Sequence, residues 1–115
     1  MSTHSKRKAP VLSDAQIDQA ARLFAVLAEP ARLHLLRALM KGEKTVSQLV
    51  DMTGIKQGTV SKHLGILYQA GFLQRKRDGA YVRYEISDPT VQHLCGLMCA
   101  RMQREVEQQY WRLMR

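Results

Sequence analysis

The chain has 115 residues, 45% of them hydrophobic and 24% charged, and its 18 Lys and Arg outnumber 10 Asp and Glu for a net charge of +8. That length supports one domain, the apolar share excludes a disordered chain, and the longest apolar run, Leu23–Ala28, falls far short of the roughly 18 residues of a membrane span. The surplus of positive charge favours an anionic partner, either nucleic acid or an anionic membrane surface. Two cysteines, Cys95 and Cys99, are too few for a disulfide framework. The polar start, Met1 to Lys8, lacks the apolar stretch of a secretory signal. Together these features predict a cytoplasmic protein with reduced thiols.

Residues 1–12 read as a flexible basic arm, and residues 13–115 as one domain. Ser13 and Gln16 have capping-box spacing, and Ile17, Ala20, Ala21, Phe24 and Leu27 follow at helical intervals, so the first helix spans about 13–27. Pro30 suits the first turn of a second helix, with Leu33, Leu36, Ala38, Leu39 and Met40 on its buried side and Gly42 at its end. A short helix from Val46 to Thr53 is broken by Gly54 and followed by a longer one from Gln57 to Gln69, stopped by Gly71. Short helix, glycine turn and longer helix are the parts of a helix-turn-helix. Val60, Leu64, Leu67 and Tyr68 face inward. Gly65 inside this helix costs about 1 kcal/mol relative to alanine, and close approach of another backbone is the one explanation the sequence offers.

The period then shifts from 3.6 to 2. Phe72–Arg77 and Ala80–Ile86 are extended runs flanking Asp78-Gly79, a strong hairpin signal. Ser87-Asp88-Pro89 caps the longest helix, about 90–113, whose stripe is Val91, Leu94, Cys95, Met98, Met102, Val106, Tyr110 and Leu113. Between residues 56 and 83 there are six cations and a single acid, Asp78. They fall at the start of the longer helix and on the hairpin, an arrangement suited to a helix N-terminus in a major groove with a hairpin gripping flanking phosphates.

Four segments in order, Leu27–Leu33 (LAEPARL), Thr59–Leu64 (TVSKHL), Gln69–Leu73 (QAGFL) and Asp78–Tyr84 (DGAYVRY), resemble the ArsR/SmtB winged-helix repressors over roughly residues 15–113. The resemblance implies a mainly α fold with a β-hairpin wing, a winged helix-turn-helix that forms a homodimer through its first and last helices. It implies a repressor of an operon, released by an inducer, and no enzyme. The partners are then a second copy of the chain and double-stranded operator DNA with an inverted repeat, and not a membrane. Gln57, Thr59, Ser61 and Lys62 would reach base edges; Gln pairs with adenine and Lys with guanine. Arg75, Lys76, Arg77 and Arg83 would meet phosphates or the minor groove. His63 would touch a phosphate or pack against the preceding helix. Tyr110 and Trp111 would anchor the dimer.

Cys95 and Cys99 lie one turn apart on one helix face. They are candidate sensor thiols for redox or reactive-sulfur chemistry; the alternatives are a soft metal or metalloid and simple packing. No cofactor is required, and a soft metal or metalloid is a candidate inducer. The arsenic-type thiol pair of the family has no counterpart in Ser47–Met52. The zinc-type Asp and His set is incomplete, because Asp88 is present but Thr90 stands where His is expected and no His follows His93. A cysteine in the second helix, needed for pairing with the last helix, is also missing.

Overall fold

The computed structural model describes residues 11–114, so most of the expected arm at 1–12 lies outside the described residues. Five helices and three strands follow in the order α1 (Asp14–Leu27), α2 (Pro30–Leu39), β1 (Lys44–Thr45), α3 (Val46–Thr53), α4 (Gln57–Gln69), β2 (Leu73–Asp78), β3 (Tyr81–Ile86) and α5 (Pro89–Met114). Local chemistry sets these ends. Ser13 and Gln16 form the expected capping box on α1, and Thr45 and Gln48 form a second on α3. Each box satisfies N–H groups that the helix itself leaves unpaired. Gly54 ends α3 at φ +73°, in the left-handed region that side chains disfavour, and so opens the tight turn into α4.

The sheet is antiparallel in the order β1-β3-β2, with Arg75 opposite Tyr84 and Lys76 opposite Arg83. Two residues of β1 were not expected from the sequence; they extend the hairpin because Lys44 and Thr45 pair with Tyr84 and Arg83. The hairpin loop is Gly79-Ala80 rather than Asp78-Gly79, since Asp78 pairs with Tyr81. Gly79 alone has positive φ there, +62°, as a turn with glycine at its first central position requires.

The core lies between α2, α3, α4 and the base of the wing. Leu35, Leu36, Leu49, Val60, Leu64 and Leu67 are wholly buried, and Phe72, Leu73, Tyr84 and Val91 close it from the sheet and α5. On α2 the inward face is Leu35, Leu36, Ala38 and Leu39. Leu33, expected inside, is 49% exposed, because it lies roughly opposite the buried arc of Leu35, Leu36, Ala38 and Leu39 at 100° per residue. Met52 is likewise exposed rather than buried.

A Cβ at Gly65 would meet nothing within 4 Å among the described residues, so close backbone approach does not explain this glycine. Gly65→Ala is therefore expected to raise stability by about 1 kcal/mol in urea denaturation. A loss of stability would mean that the site has a neighbour absent from the single chain.

The first and last helices stand apart from this core. No residue of α1 is buried, and on α5 only Val91 is. Ile17 and Phe24 on α1, and Met98, Met102, Val106, Tyr110 and Trp111 on α5, are all exposed. The Cα radius of gyration is 18.1 Å, against about 13 Å for a compact domain of this length. Two long apolar faces are thus left without cover among the described residues.

Candidate nucleic-acid interface and thiol groove

α4 presents two faces of opposite character. Val60, His63, Leu64 and Leu67 turn inward, which forces Gln57, Thr59, Ser61 and Lys62 onto the open side of the first turns, where all four are exposed. Lys56 provides no side-chain cap, so the first-turn N–H groups of α4 keep their positive dipole end free.

His63 does not join the exposed set. It is buried, and its Nδ1 accepts a hydrogen bond from Arg32 Nε at 3.1 Å. A second guanidinium nitrogen of Arg32, Nη1, donates to the Val26 carbonyl at 3.0 Å. One side chain therefore ties the end of α1 and the start of α2 to the middle of α4. The sequence placed His63 at a phosphate or against the preceding helix; the structure buries it and gives it a hydrogen-bond donor from α2. Arg32 was not singled out as a site residue, and its place in the first turn of α2, just after Glu29-Pro30, gave no periodic signal.

The wing separates its cations by face. Arg75 and Arg77 share the side of Leu73, Val82 and Tyr84, whereas Lys76 and Arg83 sit on the other side with Asp78 and Glu85, following the strand alternation and register. Arg83 Nε contacts Asp78 Oδ2 at 3.3 Å, and Lys76 Nζ lies 3.6 Å from Glu85 Oε1. Gln74 also donates to Glu85. These acids relieve the like-charge pairing of Lys76 directly opposite Arg83. The Arg75 guanidinium carbon stands 4.1 Å from the centre of the Tyr68 ring, which braces the wing on the end of α4.

Cys95 and Cys99 line a groove of about 540 Å³ between α2 and α5. Pro30, Leu33, His34, Arg37 and Met40 form its α2 wall, with Met98, Met102 and Gln103 beside the thiols on α5. Cys95 is half-buried and Cys99 exposed. Burial, and then the neighbouring Cys99, push the Cys95 thiol above its ordinary range, so it holds its proton at neutral pH. Among the described residues no group of three or more His, Cys, Asp or Glu could hold a metal ion. His93 lines a different surface depression, apart from the cysteines.

An exposed helix-turn-helix backed by a β wing defines a winged helix-turn-helix, a DNA-binding class. Residues 29–75 match the bacterial regulatory protein arsR family. A probable mercury resistance operon repressor of Streptomyces lividans is 43% identical over 80 residues, 70% of this chain and 64% of that protein, so the chain matches slightly under two thirds of that relative's length. The crystal structure of the antimony-specific repressor AntR has a TM-score of 0.79 at 32% identity, over 90% of this chain and 94% of AntR. A homodimeric winged helix-turn-helix DNA-binding domain from Mycobacterium bovis has a TM-score of 0.70 at 31% identity, over 83% and 91% of the two chains. The chain belongs to the arsR family of bacterial regulatory proteins, and the relatives it is similar to are named as transcriptional repressors. Among the described residues no helix is long and apolar enough to cross a membrane.

Proposed function

We propose that this protein is a homodimeric repressor that binds an inverted-repeat operator and releases it when a soft metal or metalloid engages Cys95 and Cys99. The observation that carries the DNA-binding part is the exposed first-turn set of α4 beside a cationic wing. Gln57, Thr59, Ser61 and Lys62 read base edges, while Arg75, Lys76, Arg77 and Arg83 hold the flanking backbone. His63 acts from inside, by fixing α4, and not as a phosphate contact. The uncovered apolar faces of α1 and α5 support pairing with a second copy through those helices. Tyr110 and Trp111, edge to face at 5.7 Å, lie on the far end of α5 where such a partner would lie.

The raised Cys95 thiol does not choose between inducers, because the thiolate is the ligand of a soft metal as well as the nucleophile of redox and reactive-sulfur chemistry. A soft element displaces the thiol protons as it binds. Relatives named for mercury and antimony favour the soft-element reading.

Fluorescence anisotropy on the upstream DNA of its own gene tests both halves, at fixed salt. Ser61→Ala combined with Lys62→Ala is expected to weaken binding to one specific duplex by about tenfold or more, while binding to RNA and to anionic vesicles is unchanged. Equal losses on all three would overturn sequence-specific recognition. Soft metals and metalloids are expected to dissociate the complex of the native protein, and not that of the Cys95→Ser, Cys99→Ser variant. Release by an oxidant or persulfide donor alone would replace the soft-element reading with thiol redox.

A further inference from the structure

Four of the seven glycines, Gly42, Gly54, Gly71 and Gly79, take the positive φ that favours this residue. Gly58, Gly65 and Gly96 lie within helices at ordinary φ, and a Cβ on any of them would meet nothing within 4 Å among the described residues. Two of these three fall on α4, where a glycine weakens the helix relative to alanine. Neither turn geometry nor packing among the described residues accounts for them, but their placement on α4 does. At about 100° per residue, Gly58, Lys62, Gly65 and Gln69 form one row, on the side of α4 opposite the buried Val60, Leu64 and Leu67. The neighbours of Lys62 along that row are the residues four before and three after it, and both are glycine. Lys62 therefore projects from a strip of bare backbone, with the exposed Ser61 beside it.

We propose that Gly58 and Gly65 set how deeply α4 enters the major groove: with no side chains there, the backbone on either side of Lys62 comes down toward the base edges and brings Ser61 and Lys62 within reach of them. The proposal rests on the reading that α4 is the base-reading helix, and it adds two positioning residues that supply no donor or acceptor side chain of their own. The dimensions support it. The major groove is about 12 Å wide and about 8.5 Å deep, whereas a helix with its side chains is about 10–12 Å across and its backbone cylinder only about 2.3 Å in radius. A helix clothed all round fills the width, so the side chains on the row facing the floor decide its depth. Hydrogen bonds to base edges weaken steeply once they lengthen, and a side chain at either glycine lifts α4 and lengthens all of them together. Phosphate contacts from the wing lie outside the floor of the groove and tolerate that lift, because the attraction between charges falls off gradually with distance. The two glycines thus act on discrimination between sequences more than on general affinity for a duplex.

Gly65→Ala, Gly65→Leu and Gly58→Leu test this, by urea denaturation of the free protein and by anisotropy at fixed salt. The two probes are the upstream DNA of the protein's own gene and a shuffled duplex of the same composition. Both Gly65 variants are expected to unfold at higher urea than the native protein, since alanine and leucine favour a helix over glycine. On the upstream duplex, Gly65→Ala is expected to bind more weakly, and each leucine variant by at least about tenfold. Binding to the shuffled duplex is expected to stay within about twofold, because it depends on phosphates alone. Stability and specific affinity then move in opposite directions, which a glycine of merely structural role does not produce. Unchanged affinity for the upstream duplex in either leucine variant, or equal losses on both duplexes, would overturn the proposal. So would a lower urea midpoint for Gly65→Ala, which places a second copy of the chain, and not DNA, against this glycine. Ser61→Ala with Lys62→Ala separates the proposal from the reading beneath it. A specific loss there but none in the leucine variants overturns the role of the glycines alone, whereas no specific loss in either set overturns base reading by α4 and the glycines' role with it.

Discussion

Arg32→Ala is expected to cost about 1–3 kcal/mol of stability and to weaken operator binding without changing its salt dependence. The guanidinium donates both to His63 Nδ1 and to the Val26 carbonyl, and His63 is only 9% exposed. Removing it leaves an imidazole nitrogen in the interior without a partner, which costs the desolvation of that nitrogen and not merely one hydrogen bond. The loss also frees α4 from α2 and from the end of α1, so the recognition helix is held less firmly when it meets DNA. Both hydrogen bonds of the Arg32 guanidinium run to the protein itself, so the salt dependence is expected to stay as it is. Denaturant melts and anisotropy at several salt concentrations check this. Replacing both partners, Arg32→Met with His63→Phe, is expected to recover much of the stability, because two apolar groups leave nothing unpaired. A decrease of about one in the salt slope for Arg32→Ala would instead make it a backbone contact.

The second large effect belongs to the wing. Arg75→Ala with Arg77→Ala is expected to lower the slope of log K against log salt by about 1.8, the counterions of two phosphates. Lys76→Ala with Arg83→Ala is expected to lower it by less than one, since Glu85 and Asp78 already partner these cations. Equal slopes from the two pairs would mean that the ion pairs open on the DNA and that all four cations reach phosphates. Neither double variant is expected to shift the unfolding midpoint far, because exposed ion pairs contribute about 0–1 kcal/mol; the Tyr68 contact of Arg75 adds a similar amount.

Much of this was legible in the residues. The capping box at Ser13, the break at Gly54 and the glycine-bearing hairpin act through near neighbours in sequence, so their geometry follows from local chemistry alone. The exposed set Gln57, Thr59, Ser61 and Lys62 was readable for the same reason, because the apolar spacing of Val60, Leu64 and Leu67 dictates which face of α4 turns outward. Local rules failed where a distant element chose between alternatives. Leu33 and Leu35 have the same chemistry, and only the placement of α3 and α4 against α2 made one core and the other a groove wall. The two residues of β1 have no strand signal of their own and pair because β3 offers a free edge.

What the sequence determined by itself is therefore the order of the five helices and the hairpin, the outward face of α4, the positive charge of the reading head, and membership of a helix-turn-helix class. Each of these depends on periodicity or on contacts within about four residues. The tertiary structure decided the rest: that His63 is held by Arg32 inside the head, that Lys76 and Arg83 share one wing face with Glu85 and Asp78 while Arg75 stacks on Tyr68 from the other, and that Cys95 and Cys99 open onto a groove shared with α2. Those arrangements join residues 31 apart in the Arg32–His63 bond and on separate helices in the groove. Side chains so far apart meet only after the core has closed and fixed the helices against one another, and nothing in the spacing of either partner announces the other.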